Sequence, residues 1–280
     1  MIFRQLFDPE SSTFTYLIAD SDSRKAVLID PVMEQVERDL RLLAELNVQL
    51  VYCLDTHVHA DHVTAAGILR TRTGCKTGVC AVAGVACADI ALNEGDAIEV
   101  GQHTIEVRAT PGHTSGCMTF LVNDGEQVRA FTGDALFVRG CGRTDFQGGD
   151  AATLYRSVHN QIFSLPDDTI VYPGHDYRGH QYSTVGEEKA HNPRLKTEIS
   201  EDQFVRIMQN LNLANPKKIA IAVPANLGCG IGSDADQHQD RDIPELRPDQ
   251  TGQLDSYRLI DVREPHEWGG ELGHLPTATL

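Results

Sequence analysis

The 280-residue sequence has no uninterrupted apolar run of about 18 residues, so nothing in it reads as a membrane span. Its first 20 residues, MIFRQLFDPESSTFTYLIAD, lack the charged start, apolar middle and small-residue cleavage site of a secretory signal, and they read as early strands. Basic residues are in deficit, 24 against 40 acidic, for a net charge of -16. That balance argues against nucleic acid or an anionic membrane as partner, although a small anionic substrate can still find a locally basic pocket. Cysteine offers no disulfide framework, because seven residues (Cys53, Cys75, Cys80, Cys87, Cys117, Cys141, Cys229) make an odd count without regular spacing. Reduced thiols in a cytoplasmic protein are the expectation. No repeat of fixed period is visible. With 41% hydrophobic and 23% charged residues, the chain has the composition of a globular protein that can bury a full core.

What is present is concentrated in THVHADH, residues 56–62, directly after the strand-like run LVYCL. His57, His59, Asp61 and His62 place three imidazoles and a carboxylate in one turn, which is half of a metal site. Upstream, FTYLIAD and KAVLIDP flank the polar turn SDSR as in an antiparallel hairpin. Val36, Leu40, Leu43 and Leu46 then recur at helical spacing. A helix is expected from directly after His62 to Gly74, followed by strands in KTGVCAV, AIEV, HTIEVRAT, CMTFLV and QVRAFTGD. Leu154, Val158, Ile162 and Leu165 predict one further helical face, and TIVYPGHDY a closing strand. The regularity that matters is that polar clusters sit where apolar strands end: at 57–62, at His113 in PGHTSG, at Asp134 after Gly133, and at His175 in PGHDY. Loops at one edge of a sheet converge in space, so these residues are expected to form one site.

The pattern His57-x-His59-x-Asp61-His62, then His113, Asp134 and His175, resembles that of the metallo-β-lactamase superfamily over about the first 180 residues. The resemblance implies an α/β fold, the four-layer αβ/βα sandwich, with metal at one edge of two packed sheets. RGCGRTDFQGGD (139–150), YPGHDYRGH, NPRL and KKIAIAVPANLGCG (217–230) further resemble the persulfide dioxygenases. That family oxidises glutathione persulfide with O2 and water to sulfite and glutathione, on one non-haem Fe(II) per chain. By this resemblance His57, His113 and Asp134 are the metal ligands, with His59, Asp61, His62 and His175 orienting them and moving protons. Arg143, Cys141 and Tyr177 then map to the glutathione contacts, guanidinium geometry suiting a carboxylate. The partners implied are glutathione persulfide and O2. A homo-oligomer is compatible with the sequence, which does not set the oligomeric state.

The same seven side chains ligate two zinc ions in hydrolases of the superfamily, so the inventory fits one iron and two zincs alike. A glyoxalase II-type thioester hydrolase therefore stays open, as does a persulfide sensor or sulfur carrier working through Cys141. Arg139 and Arg143 can equally be a solvated face. Tyr177 can cap the core, and Asp176 can serve loop hydrogen bonds. Residues 1–232 are expected to form the catalytic domain and the polar, acidic stretch 233–256 a linker. The segment 257–280, with DVRE and GHLPTATL, resembles the opening of a rhodanese domain. It is too short to complete a core and brings no cysteine, so the expectation is a dioxygenase–sulfurtransferase fusion in truncated form, without transferase activity.

Overall fold

The computed structural model describes residues 1–211 and 218–231. The linker expected at 233–256 and the rhodanese-like segment at 257–280 lie outside the described residues. Two six-stranded sheets carry the fold. The first runs in chain order through β1 (Ile2–Asp8), β2 (Thr13–Ala19), β3 (Lys25–Ile29), β4 (Gln49–Leu54), β5 (Lys76–Cys80) and β6 (Ile90–Leu92). The second follows with β7 (Ala97–Val100), β8 (His103–Ala109), β9 (Met118–Asn123), β10 (Val128–Gly133), β11 (Ile170–Pro173) and β12 (Ser183–Thr184). The expected hairpin is β2 against β3, with Tyr16 opposite Ile29.

Alternation along the strands sorts side chains to opposite faces and so builds the layers. Tyr16, Ile18, Val27 and Ile29 join Ile105, Val107, Phe120 and Phe131 in the core between the sheets. Leu17, Ala19 and Leu28 face the other way, onto Val36 and Leu43 of α1 (Val36–Glu45) and Leu69 of α2 (Ala66–Thr73). Across the molecule, Leu121, Ala130 and Val171 pack beneath α3 (Ala151–Ser157), α4 (Val185–His191) and α5 (Glu201–Gln209). This is the expected four-layer sandwich. Helix α6 (Ile219–Leu227) completes the described chain. No helix among the described residues is long and apolar enough to cross a membrane.

Three expectations need correction. The helix after His62 begins only at Ala66, because Thr64 forms a β-bridge with Val32, flanked by Met33 N–H donating to Val63 O at 2.9 Å and Ala65 N–H to Pro31 O at 2.8 Å. The helical face drawn from Leu154 to Leu165 leaves α geometry after Ser157 and continues as a π turn through Val158–Ile162. Not all thiols are reduced, since Cys87 and Cys229, 142 residues apart, are joined by a disulfide.

Asp39, fully buried on α1, accepts from Arg38 Nε at 2.8 Å while its other oxygen has no partner. Burial pushes its carboxyl up to about 6, against the pull of Arg38. A raised carboxyl favours the folded state below the unfolded value near 4, and that contribution is lost as pH rises through about 6. Asp39→Asn is therefore expected to be more stable than wild type at pH 7.5, by up to about 3 kcal/mol. The gap should close near pH 4 when urea unfolding is compared at the two pH values.

Candidate metal centre

Strand ends of both sheets meet at one edge, as the sequence pattern required. β4 delivers the 56–62 loop, β8 leads to His113, β10 to Asp134 and β11 to His175. Close approach explains two of the glycines beside the ligands: a Cβ on Gly133 would lie 2.6 Å from Thr56 Oγ1, and one on Gly174 2.7 Å from Asp134 Oδ1.

His57, His113 and Asp134, all buried, each present a donor atom within 4.8 Å of the others. The tautomers follow from the neighbours. Thr56 Oγ1 donates to Asp30 Oδ2 at 2.9 Å, so it can only accept from His57 Nδ1–H at 3.0 Å. His113 Nδ1–H donates to the Arg143 carbonyl at 2.6 Å. Both rings thus keep an Nε2 lone pair for a cation, and His113 Nε2 lies 3.5 Å from Asp134 Oδ2. Burial, reinforced by the neighbouring His59 and His113, holds His57 well below the usual imidazole range, so it stays neutral. Asp134 Oδ1 is buried without a hydrogen-bond partner. Two imidazoles and one carboxylate with an unpartnered oxygen fit a divalent metal.

The other members of the pattern are differently engaged. His59 Nε2–H donates to Asp30 Oδ1 at 3.1 Å. Burial opposes a charge there, but Asp30 and then Asp55 outweigh it and push His59 up to about 10. Asp61 accepts from Thr13 at 3.0 Å and faces His62 Nδ1 at 2.8 Å. Burial would raise its carboxyl, but His175 and His62 hold it well below the usual range. His175 Nδ1–H donates to Ser12 O at 3.2 Å, and its Nε2 faces Asp134 Oδ1 at 3.4 Å and Asp61 Oδ2 at 3.7 Å.

The metal edge opens into a pocket of about 410 Å³ lined by Asp61, His113, Asp134 and His175 together with Phe137 and four arginines, Arg139, Arg143, Arg178 and Arg194. Its volume is that of a small-molecule site. Arg139 is tied to Glu188 and Glu187. Arg143 forms a fork on Asp145 at 2.6 and 2.8 Å and lies over the Phe146 ring. Arg194 Nη1 donates to the Cys141 carbonyl at 3.2 Å, and among the described residues neither Arg178 nor Arg194 has a carboxylate within salt-bridge distance. The Cys141 thiol lies against Met208 Sδ, 4% exposed, and burial pushes it up to about 11. Tyr177, 69% exposed, stacks on His175 at the pocket rim. Asp176 accepts from the backbone of Arg178 and His180, which makes it a loop residue.

Sequence reading missed Asp30, which sits at the end of an apolar strand like the ligands themselves and could have been found by the same rule. It also gave no role to Arg178, Arg194 or Asn226, although three of the four resemblance stretches contain them.

Residues 8–175 match the Metallo-beta-lactamase superfamily. The chain is also 53% identical over 232 residues to "Persulfide dioxygenase ETHE1, mitochondrial" of mouse and of human, covering 82% of this chain and 89% of each relative. The crystal structure of ETHE1 from Myxococcus xanthus superposes with a TM-score of 0.79 at 55% identity, covering 82% of this chain and all of that one. The chain belongs to the metallo-β-lactamase superfamily and, within it, to the persulfide dioxygenase family.

If His57, His113 and Asp134 are the ligands, His57→Ala, His113→Ala and Asp134→Ala should each lose nearly all bound metal after desalting, because removing one of three ligands leaves an under-coordinated ion. Wild-type metal content in any of the three would strike that residue from the set.

Proposed function

We propose that this enzyme oxidises glutathione persulfide with O2 and water to sulfite and glutathione, at a single Fe(II) held by His57, His113 and Asp134. The observation that carries the reading is the likeness to persulfide dioxygenases, 53% identical over 232 residues, together with the convergence of His57, His113 and Asp134. His59, Asp61 and His62 also lie within reach of one another, with His59 Nδ1 and His62 Nε2 buried and without a hydrogen-bond partner among the described residues, so the count of bound metal separates one ion from two. When bound, Fe(II) on two imidazoles and one carboxylate supplies open positions and the redox chemistry that O2 requires.

The protein's own groups do the rest. Thr56 and the Arg143 carbonyl fix the two ligand tautomers. His175 faces Asp134 and Asp61, whose charges outweigh the cost of burial and raise its basicity. It is therefore placed to take the proton of the persulfide and return one to the departing glutathione thiol. The arginines concentrate positive charge at one mouth of a chain with net charge -16, which suits the two carboxylates of glutathione. Of the four, Arg194 and Arg178 are the guanidinium groups without a carboxylate partner among the described residues. Arg143 would exchange Asp145 for substrate, Cys141 contributes by steadying Arg194 through its carbonyl, and Tyr177 closes the rim. A buried, protonated Cys141 thiol speaks against a sulfur carrier.

Adding glutathione persulfide to freshly purified protein should produce O2 uptake and stoichiometric sulfite, with about one iron per chain in the same sample. Two zincs, no uptake and cleavage of a glutathione thioester would establish the hydrolase instead. Arg194→Ala should raise KM about tenfold with kcat nearly unchanged, as for a charged hydrogen bond made equally in ground and transition states. An unchanged KM would remove Arg194 from the substrate site.

A further inference from the structure

Helix α6 lies outside the pocket lining, yet one of its side chains grips the metal loop. Asn226, 4% exposed, donates through Nδ2 to the carbonyls of His59 and His62, both at 2.9 Å, and accepts from Thr64 N–H through Oδ1 at 2.8 Å. Both amide hydrogens and the amide oxygen are used on three peptide groups that bracket Asp61 and His62. Other side chains fail this task for stated reasons. Asp has no hydrogens for the two carbonyls and would bury a charge against them, while Ala leaves all three backbone groups unpaired.

The helix is itself secured at both ends. Lys218 reaches Glu10 and Glu34, each at 2.8 Å. At the far end Cys229 O accepts from Gly67 N–H at 3.0 Å, so close that a Cβ on Gly67 would meet that oxygen at 2.5 Å. Two residues after Cys87 the chain reaches Asp89, which binds Thr77 of β5 at 2.8 Å, and the Cys87–Cys229 disulfide joins this segment to the turn after α6.

We infer that Asn226 is a positioning residue of the metal centre, kept in place by the Cys87–Cys229 disulfide. The inference rests on the metal site assigned above to His57, His113 and Asp134. Asn226 touches no ligand side chain; it fixes the peptides from which the 57–62 side chains project. Its loss should therefore be felt in how firmly and in what geometry a metal is held.

The test uses the full chain loaded with Co(II), whose visible bands report coordination geometry, and follows release of the ion into excess EDTA. Asn226→Ala and the isosteric Asn226→Asp should release Co(II) about tenfold faster than wild type, with shifted bands, as for other residues that orient ligands. Cys87→Ser should accelerate release by a smaller factor, and should add nothing in the Asn226→Ala background if the disulfide acts through Asn226. Wild-type release and spectrum in both Asn226 variants, even with a lowered Tm, would overturn the inference and leave a purely structural role. Unchanged release in Cys87→Ser would overturn the part assigned to the disulfide, and that variant still decides if neither Asn226 variant folds. A wild-type chain that binds no Co(II), or two ions, would instead defeat the single-metal reading on which the inference rests.

Discussion

The site depends on one buried carboxylate. Asp30, 1% exposed at the end of β3, accepts from Thr56 N–H at 2.7 Å, from Thr56 Oγ1 at 2.9 Å and from His59 Nε2 at 3.1 Å. Its backbone takes the left-handed conformation, φ 51°, uncommon for a residue other than glycine and a sign that the surroundings dictate the geometry. A carboxylate taken out of water is costly unless its oxygens are fully used, and here three donors use them. The result reaches His57 in two steps, from Asp30 to the Thr56 hydroxyl and from there to Nδ1. The same carboxylate holds His59 through Nε2 and leaves its buried Nδ1 without a hydrogen-bond partner. One group thus orients two imidazoles of the loop.

Asp30 secures the beginning of the loop, and Asn226 secures its end. Between these anchors the loop carries His57, His59, Asp61 and His62 without regular secondary structure of its own. A metal site needs its ligands placed to a fraction of an ångström, and loops achieve this only when their peptides are bonded from outside. The arrangement also explains why the helix after His62 starts late. Thr64 forms a β-bridge with Val32, which keeps the chain extended there, so the helix can begin only afterwards.

Much of this was legible in the sequence, and the rest was hidden for a physical reason. Strands, the convergence of the polar strand ends and the four-layer architecture follow from local signals: an apolar run of the right length, ending in His or Asp, predicts both a buried strand and where its polar end emerges. β4 with 56–62 and β10 with Asp134 are read directly in this way. Asn226, Arg194 and the Cys87–Cys229 bond carry no local signal. Asn226 lies in an apolar helix containing Pro224, and only the three-dimensional approach of α6 to residues 59–64 gives its amide a function. The cysteines were equally opaque, since a pair separated by 142 residues forms no spacing pattern.

The ligand inventory could not choose between one metal and two because residue identity does not say which ring nitrogens are already spent. His59 and His57 are the same residue two positions apart on one loop, yet they engage opposite ring nitrogens. The difference lies in their contacts: His57 meets a hydroxyl whose only proton is committed elsewhere, which leaves Nε2 bare, whereas His59 meets the carboxylate itself through Nε2 and keeps Nδ1 bare. What lies behind the signature residues thus fixes which nitrogen each ring presents, because a hydrogen bond on one ring nitrogen sets the tautomer and leaves the other for a cation.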